Sequence, residues 1–189
     1  VSEARDALKT LPDIDPSEPT IVVAGYPNVG KTAFVNAVTR ASNTTAAYPF
    51  TTKGVHVGHA ERDHIRYQIV DTPGLLDRPA AERNEIEAQA TSALTHLADA
   101  VLFLIDPSET CGYPLDDQQA LREEVAATFD VPIILVCNKA DLSTGVDADQ
   151  YMTVPSEAEP GPDSEAPTAV LEAAIEAIGY EPDLPYDES

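Results

Sequence analysis

Residues 24 to 34 read AGYPNVGKTAF, where glycine, proline, asparagine and glycine break the apolar run that ends at Ala24 and a helix-like pattern begins at Lys31. The stretch matches G-x-x-x-x-G-K-[ST] at Gly25, Gly30, Lys31 and Thr32. To turn backbone N–H groups inward around a phosphate, a loop must tolerate unusual dihedrals, and the helix that follows must aim its positive end at the same point. Gly25 and Gly30 permit the turn and the close approach. Tyr26, Pro27, Asn28, Val29 and Gly30 form the cradle, Ala33 lies in the first helical turn, Lys31 reaches the terminal phosphates, and the Thr32 hydroxyl coordinates magnesium. The plain alternative is a strand-to-helix turn that binds nothing, and the setting between a strand and a helix weighs against it.

Outward from that loop, strand-like and helix-like patterns alternate to about residue 178. TIVVAG (20–25) reads as a buried strand and KTAFVNAVTRA (31–41) as a helix with Phe34, Val35 and Val38 inside. VHVGHA and IRYQIVD, joined by ERDH, read as an antiparallel hairpin. A long helix is expected over 81–98, then a buried strand AVLFLID, a helix over 115–129, a buried strand PIILVCN, a short strand QYMTV and a last helix over 166–179. The sum is an α/β fold: a mostly parallel six-stranded sheet with one antiparallel strand and helices on both faces. Residues 1–19 read as the end of a preceding helical region with a linker, 20–179 as one nucleotide-binding domain, and 180–189 as an acidic tail.

Two further motifs fall at strand ends. In VDTPG, Asp71 closes a strand where its carboxylate can reach the magnesium, and Gly74 offers a backbone N–H to the terminal phosphate; turn chemistry is the plainer reading of Asp71 taken alone. CNKAD, residues 137–141, ends another buried strand at the carboxyl edge where open α/β sheets bind ligands. There Asp141 can accept hydrogen bonds from the ring N–H and exocyclic amine of guanine, which adenine cannot match, while Asn138 and Lys139 brace the loop and cover the base. Thr153 and Val154 stand where a Ser-Ala pair commonly completes such a base site with a backbone N–H, and Ser156 and Ala158 are a weaker alternative. The implied ligands are GTP and GDP.

Composition narrows the setting. The 189 residues carry 33 Asp plus Glu against 11 Lys plus Arg, a formal net charge of −22. Self-repulsion on that scale strains a compact chain at ordinary ionic strength, whereas molar salt shortens the Debye length to roughly 3 Å. The expected source is a salt-loving cell. Two cysteines make no disulfide framework and fit a reducing cytoplasm, and the longest apolar runs are far short of a membrane span. A surface this acidic repels nucleic-acid phosphates, so no DNA partner is expected, and direct RNA contact would need a local patch built from Arg62, Arg66, Arg78 and Arg83.

With GYPNVGKT, YPFTTKGVHVGH, the long stretch from Val70 to Asp99, DPSETCGY and NKAD in order, the chain resembles the nucleolar GTP-binding protein 1 family in its archaeal form, within the Obg-like translation-factor-class P-loop GTPases. The resemblance covers about residues 20–155. It implies a magnesium-dependent GTPase acting in assembly of the large ribosomal subunit, with a pre-ribosomal particle as partner and a helical region before the domain. It also makes YPFTTKG the first switch, with Thr52 closing over magnesium and the terminal phosphate and Thr51 as the fallback; a strand start is the plainer reading of both. Lys31, Thr52, Gly74 and Asn28 are then the catalytic candidates, and Thr32, Thr52 and Asp71 the metal ligands.

One departure bears on mechanism. Leu75 stands where well-known GTPases carry the glutamine that orients the attacking water, and leucine cannot hydrogen-bond it, so slow intrinsic hydrolysis is expected. Similar GTPases with asparagine at the place of Asn28 can hold a potassium ion beside the phosphates; a left-handed turn residue is the other reading of Asn28. Arg78 as an arginine supplied in cis competes with a plain solvated arginine. The competing function is a GTP-dependent docking module with negligible turnover. From the charge alone, the thermal unfolding midpoint is expected to climb steadily between about 0.1 and about 2 M KCl; a flat or falling midpoint in calorimetry would remove the halophile reading.

Overall fold

The computed structural model describes residues 17–39, 44–47, 54–71, 76, 79–140, 142–143, 145–152 and 167–179. Seven strands form one sheet in the order β2-β3-β4-β1-β5-β6-β7. They are β1 (Thr20–Ala24), β2 (Thr44–Ala47), β3 (Gly54–Arg62), β4 (Ile65–Asp71), β5 (Ala100–Ile105), β6 (Ile133–Cys137) and β7 (Gln150–Tyr151). β1, β4, β5, β6 and β7 run parallel to one another, and β3 is antiparallel to both of its neighbours. The six expected strands are all present. β2 is a seventh, a short TTAA edge segment whose residues carry no apolar signal and which forms against the outer side of β3.

Every residue of β1 and of β5 is buried, as a strand covered on both faces requires. The helices are α1 (Lys31–Val38), α2 (Glu85–Leu97), α3 (Leu115–Thr128) and α4 (Pro167–Ile178). α1 packs on β3, β4 and α4, and α4 also reaches β5. Crossovers that run from β1 toward β4 and then from β4 back over β1 to β5 turn in opposite directions across the sheet, so right-handedness sends α2 to the face opposite α1. Phe34, Val35 and Val38 of α1 and Ala90, Ala93, Leu94 and Leu97 of α2 are buried, the stripes their spacing calls for.

Two helix ends differ from the sequence reading, each for a local reason. α2 begins at Glu85 rather than near residue 81, because Asn84 and Glu87 close a capping box: Asn84 Oδ1 accepts from the Glu87 amide at 2.8 Å and Glu87 Oε2 accepts from the Asn84 amide at 3.3 Å. Before it, Ala80–Glu82 form a 3-10 turn. α1 stops at Val38 rather than Ala41, since Thr39 is extended and its hydroxyl donates to the Val35 carbonyl at 2.7 Å. Residues 1–16 and 180–189, assigned above to a preceding region and a tail, lie outside the described residues.

β1 is where the chain changes direction across the sheet, its successors up to β4 lying on one side and those from β5 onward on the other. The crevice at the carboxyl end of such a strand is where open α/β sheets bind ligands. Register puts Asp71 opposite Val23, at the lip of that crevice. On the flank, β3 meets α1 so closely that a Cβ at Gly58 would lie 2.4 Å from Thr39 Cγ2 and 2.9 Å from Thr39 Cβ. Threonine is stiff at χ1 and Thr39 is held by its own hydrogen bond. Gly58→Ala is therefore expected to destabilise the fold by about 1–3 kcal/mol, read as a lower urea midpoint with an unchanged slope.

Candidate nucleotide site

The loop from Gly25 to Gly30 leaves β1 and ends as the N-cap of α1. Both motif glycines are demanded by neighbours as well as by backbone angle. Gly25 has φ 138° and a Cβ there would sit 2.5 Å from the Leu104 carbonyl oxygen of β5. Gly30 has φ 106° and its Cβ would sit 2.2 Å from Asn138 Nδ2. Asn28 takes φ 66° and is exposed, so the left-handed turn role read from the sequence is met. No acidic residue occupies the first turn of α1, and Gly30 offers no capping side chain, so the first amides keep their partial positive charge for a ligand.

A cavity of about 290 Å³ opens there, lined by Pro27, Asn28, Gly30, Lys31, Thr32, Ala33 and Asp71. Tyr26 and Val29 are buried, which leaves their backbones for any ligand contact. Lys31 is also buried, and its ammonium donates to the carbonyls of Gly25 at 2.7 Å and Tyr26 at 2.9 Å, which holds it over the loop. The Thr32 hydroxyl donates to Asp71 Oδ2 at 2.7 Å. Asp71 is fully buried, and its Oδ1 has no hydrogen-bond partner among the described residues. A buried carboxylate oxygen left unpaired beside a hydroxyl is the hard-oxygen donor set that magnesium takes together with substrate phosphates, so these two residues fit the ion.

Asn138, at the end of β6, is almost fully buried and donates from Nδ2 to the Val29 carbonyl at 2.7 Å. Its own amide is held by the Ile105 carbonyl at 2.9 Å. Lys139 is left-handed at φ 55°, and its ammonium lies 3.0 Å from Asp106 Oδ2 and 2.8 Å from Thr110 Oγ1. The Leu76 carbonyl accepts from the Gly25 amide at 3.0 Å, tying the segment after Asp71 to the phosphate loop. Three of the expected loops thus meet at one edge of the sheet. Thr51, Thr52, Gly74, Leu75, Arg78, Asp141, Thr153, Val154, Ser156 and Ala158 lie outside the described residues.

Asp106 is a site residue to which the sequence reading gave no role. It follows the last residue of β5, Ile105, and is fully buried. Burial alone would raise its pKa, but hydrogen bonds from Ser108, the Lys139 ammonium, the Cys111 amide and Thr110 outweigh that and hold its carboxyl below the usual carboxylate range. Cys137, close by, is pushed up to about 11 by burial and then by the Asp106 charge, which makes it an inert thiol at neutral pH. The available signal for Asp106 was a strand-ending Asp followed by Ser108 and Thr110, a pattern that folds a turn onto its own carboxylate.

A mostly parallel sheet that changes direction at β1, a glycine loop opening a helix, and an Asp beside the loop's threonine define a P-loop nucleotide-binding fold. Comparison with known proteins agrees. The family profile of nucleolar GTP-binding protein 1 matches residues 85–141. The chain is 47% identical over 143 residues to Nucleolar GTP-binding protein 1 of Arabidopsis thaliana, covering 75% of this chain and 21% of that protein. It is 49% identical over 142 residues to an uncharacterized protein of Methanocaldococcus jannaschii, covering 75% and 39% respectively. A solved Plasmodium falciparum chain described as a nucleolar GTP-binding protein 1 superposes with a TM-score of 0.74 at 30% identity, covering 89% of this chain and 90% of that one. The G domain of the T. maritima FeoB iron transporter, at 20% identity and TM-score 0.63 over 85% of this chain and 98% of that one, shares the fold. The chain belongs to the nucleolar GTP-binding protein 1 family, and it spans between 21% and 39% of the length of the two relatives named from Arabidopsis and Methanocaldococcus.

Because Gly30 has both a left-handed backbone and Asn138 against its missing Cβ, Gly30→Ala is expected to displace Asn138 from Val29 and to lower stability by about 2–5 kcal/mol in urea unfolding. A change under about 0.5 kcal/mol would show that the two loops are not held together as described.

Proposed function

We propose that this chain is a GTP-binding and GTP-hydrolysing switch domain that works in assembly of the large ribosomal subunit, in the cytoplasm of a salt-loving archaeon. The observation that carries the nucleotide part is the convergence of three loops, seen in the 2.7 Å contacts from Thr32 to Asp71 and from Asn138 to Val29. The ribosomal part is supported by the family, whose Arabidopsis member bears the name nucleolar GTP-binding protein 1.

In this reading the amides of residues 26–33 and the Lys31 ammonium bind and orient the phosphates, and Asp141 with Thr153 and Val154 reads the guanine base. Thr32 and Asp71, with Thr52 (or Thr51) from the first switch, hold magnesium, which neutralises charge on the phosphate oxygens when bound. Gly74 donates its amide to the terminal phosphate. Asn28, exposed at the cavity, holds potassium where it supplements that charge. Contact with ribosomal RNA falls mainly to other segments, because a net charge of −22 opposes it here.

Leu75 favours a second reading, a GTP-dependent docking module without appreciable turnover of its own. Single-turnover GTP hydrolysis separates the two. Potassium in place of sodium is expected to raise the wild-type rate at least about tenfold, and Asn28→Ala to abolish the difference. A rate near zero in both salts supports the docking module, and ATP competing as well as GTP would defeat the guanine-nucleotide reading altogether.

A further inference from the structure

The loop after β5, read above as DPSETCGY but given no role there, touches both halves of the site. Its anchor is Gln118 on α3, whose Oε1 accepts from the Asp106 amide at 2.7 Å and whose Nε2 donates to the carbonyls of Asp106 at 2.9 Å and Tyr113 at 3.0 Å. Gln118 is buried, so both ends of the loop are tied to one rigid point. Inside that frame the Asp106 carboxylate is saturated. Oδ1 accepts from the Ser108 amide at 3.0 Å and from the Ser108 hydroxyl, and Oδ2 accepts from Thr110 at 3.0 Å, the Cys111 amide at 2.9 Å and the Lys139 ammonium at 3.0 Å. Of these donors, Lys139 alone comes from the loop that follows β6.

At its far end the same loop presents Tyr113, whose ring stacks on Tyr26 with centroids 4.4 Å apart and planes 27° apart. Tyr26 belongs to the phosphate loop, and its carbonyl accepts from Lys31. A closed circuit results. The phosphate loop joins Asn138 through Val29, Lys139 joins Asp106, and Tyr113 returns to the phosphate loop through Tyr26.

We propose that residues 106–114 are a positioning element for the nucleotide, in which Asp106 fixes Lys139 on the base side and Tyr113 fixes the phosphate loop through Tyr26, so that the two halves of the site keep one spacing. The inference rests on the guanine-nucleotide reading above and deepens it. A carboxylate buried this completely needs a partner cation, and Lys139, partly exposed, is that cation. With its ammonium pinned, the lysine loses the rotamer freedom that would otherwise have to be lost when a base is bound. Asp106, Tyr113 and Lys139 are not among the residues assigned above to catalysis, which are Lys31, Thr52, Gly74 and Asn28. Failure of the circuit is therefore expected in retention of nucleotide and not in the chemical step.

The test uses the full chain in potassium-containing high salt, with release of a fluorescent GDP followed by stopped flow and GTP hydrolysis followed in single turnover. Asp106→Asn and Tyr113→Ala are each expected to speed GDP release about 10–100-fold while the rate of the bound GTP changes by less than about threefold. Tyr113→Phe, which keeps the stacked ring, is expected to release GDP at the wild-type rate. Asp106→Asn combined with Lys139→Gln is expected to release it no faster than Lys139→Gln alone, because both remove one ion pair. Should Asp106→Asn fail to fold, the Tyr113 pair carries the test by itself. Wild-type protein that does not bind fluorescent GDP overturns the guanine-nucleotide reading and this inference with it. Wild type that binds, with Tyr113→Ala releasing GDP at the wild-type rate or the Asp106 and Lys139 effects multiplying, overturns this inference alone.

Discussion

The hydrogen bond from Asn138 Nδ2 to the Val29 carbonyl, at 2.7 Å, is the contact on which the geometry of this edge depends. β1 and β6 are not neighbours, since β5 lies between them. Strands two places apart are separated by roughly 9–10 Å, so the loops that follow them meet only if one arches over the intervening strand end. The phosphate loop does the arching. It passes the Leu104 carbonyl of β5 where a Cβ on Gly25 could not fit, and it reaches Asn138 where a Cβ on Gly30 could not fit. The two glycines of the motif thus mark the two places where this loop leans on something else. The neighbours that set its curvature are Leu104 on β5 and Asn138 after β6.

That dependence explains which parts of the molecule were legible in the sequence. Buried parallel strands such as TIVVA and AVLFLI announce themselves by continuous apolar runs, and Asp71, Asn138 and Lys139 fall where those runs end. Local chemistry that went unread was still local: Asn84 three residues before Glu87 is a capping box, and it moves the start of α2 to Glu85. β2 had no such signal, because TTAA contains neither a continuous apolar run nor an alternating one and is a strand through its pairing with β3. Asp106 is a different case. Its turn with Ser108 and Thr110 is local, but its bond to Lys139 spans 33 positions and arises only once β5 and β6 lie side by side. The tie from Leu76 to Gly25 and the stack of Tyr113 on Tyr26 are likewise products of topology.

The charge of the chain opposes the proposed site for a polyanion until distance is considered. A net charge of −22 repels a nucleotide from afar, yet at molar salt that field dies within roughly 3 Å of the surface. What survives screening is contact: amides at the start of α1, and an ammonium held at hydrogen-bond distance from the loop it serves. Of the chain's four lysines, Lys31 and Lys139 are both committed in this way, one to the carbonyls of Gly25 and Tyr26 and the other to Asp106 and Thr110. Neither works as a free surface charge. A site built from short, fixed contacts gives up electrostatic steering, which salt would abolish anyway, and keeps the interactions that salt weakens least. The acidic surface and the proposed anion site are therefore compatible because they act over different lengths, and contacts as short as those around Asp106 and Asn138 belong to the length that salt weakens least.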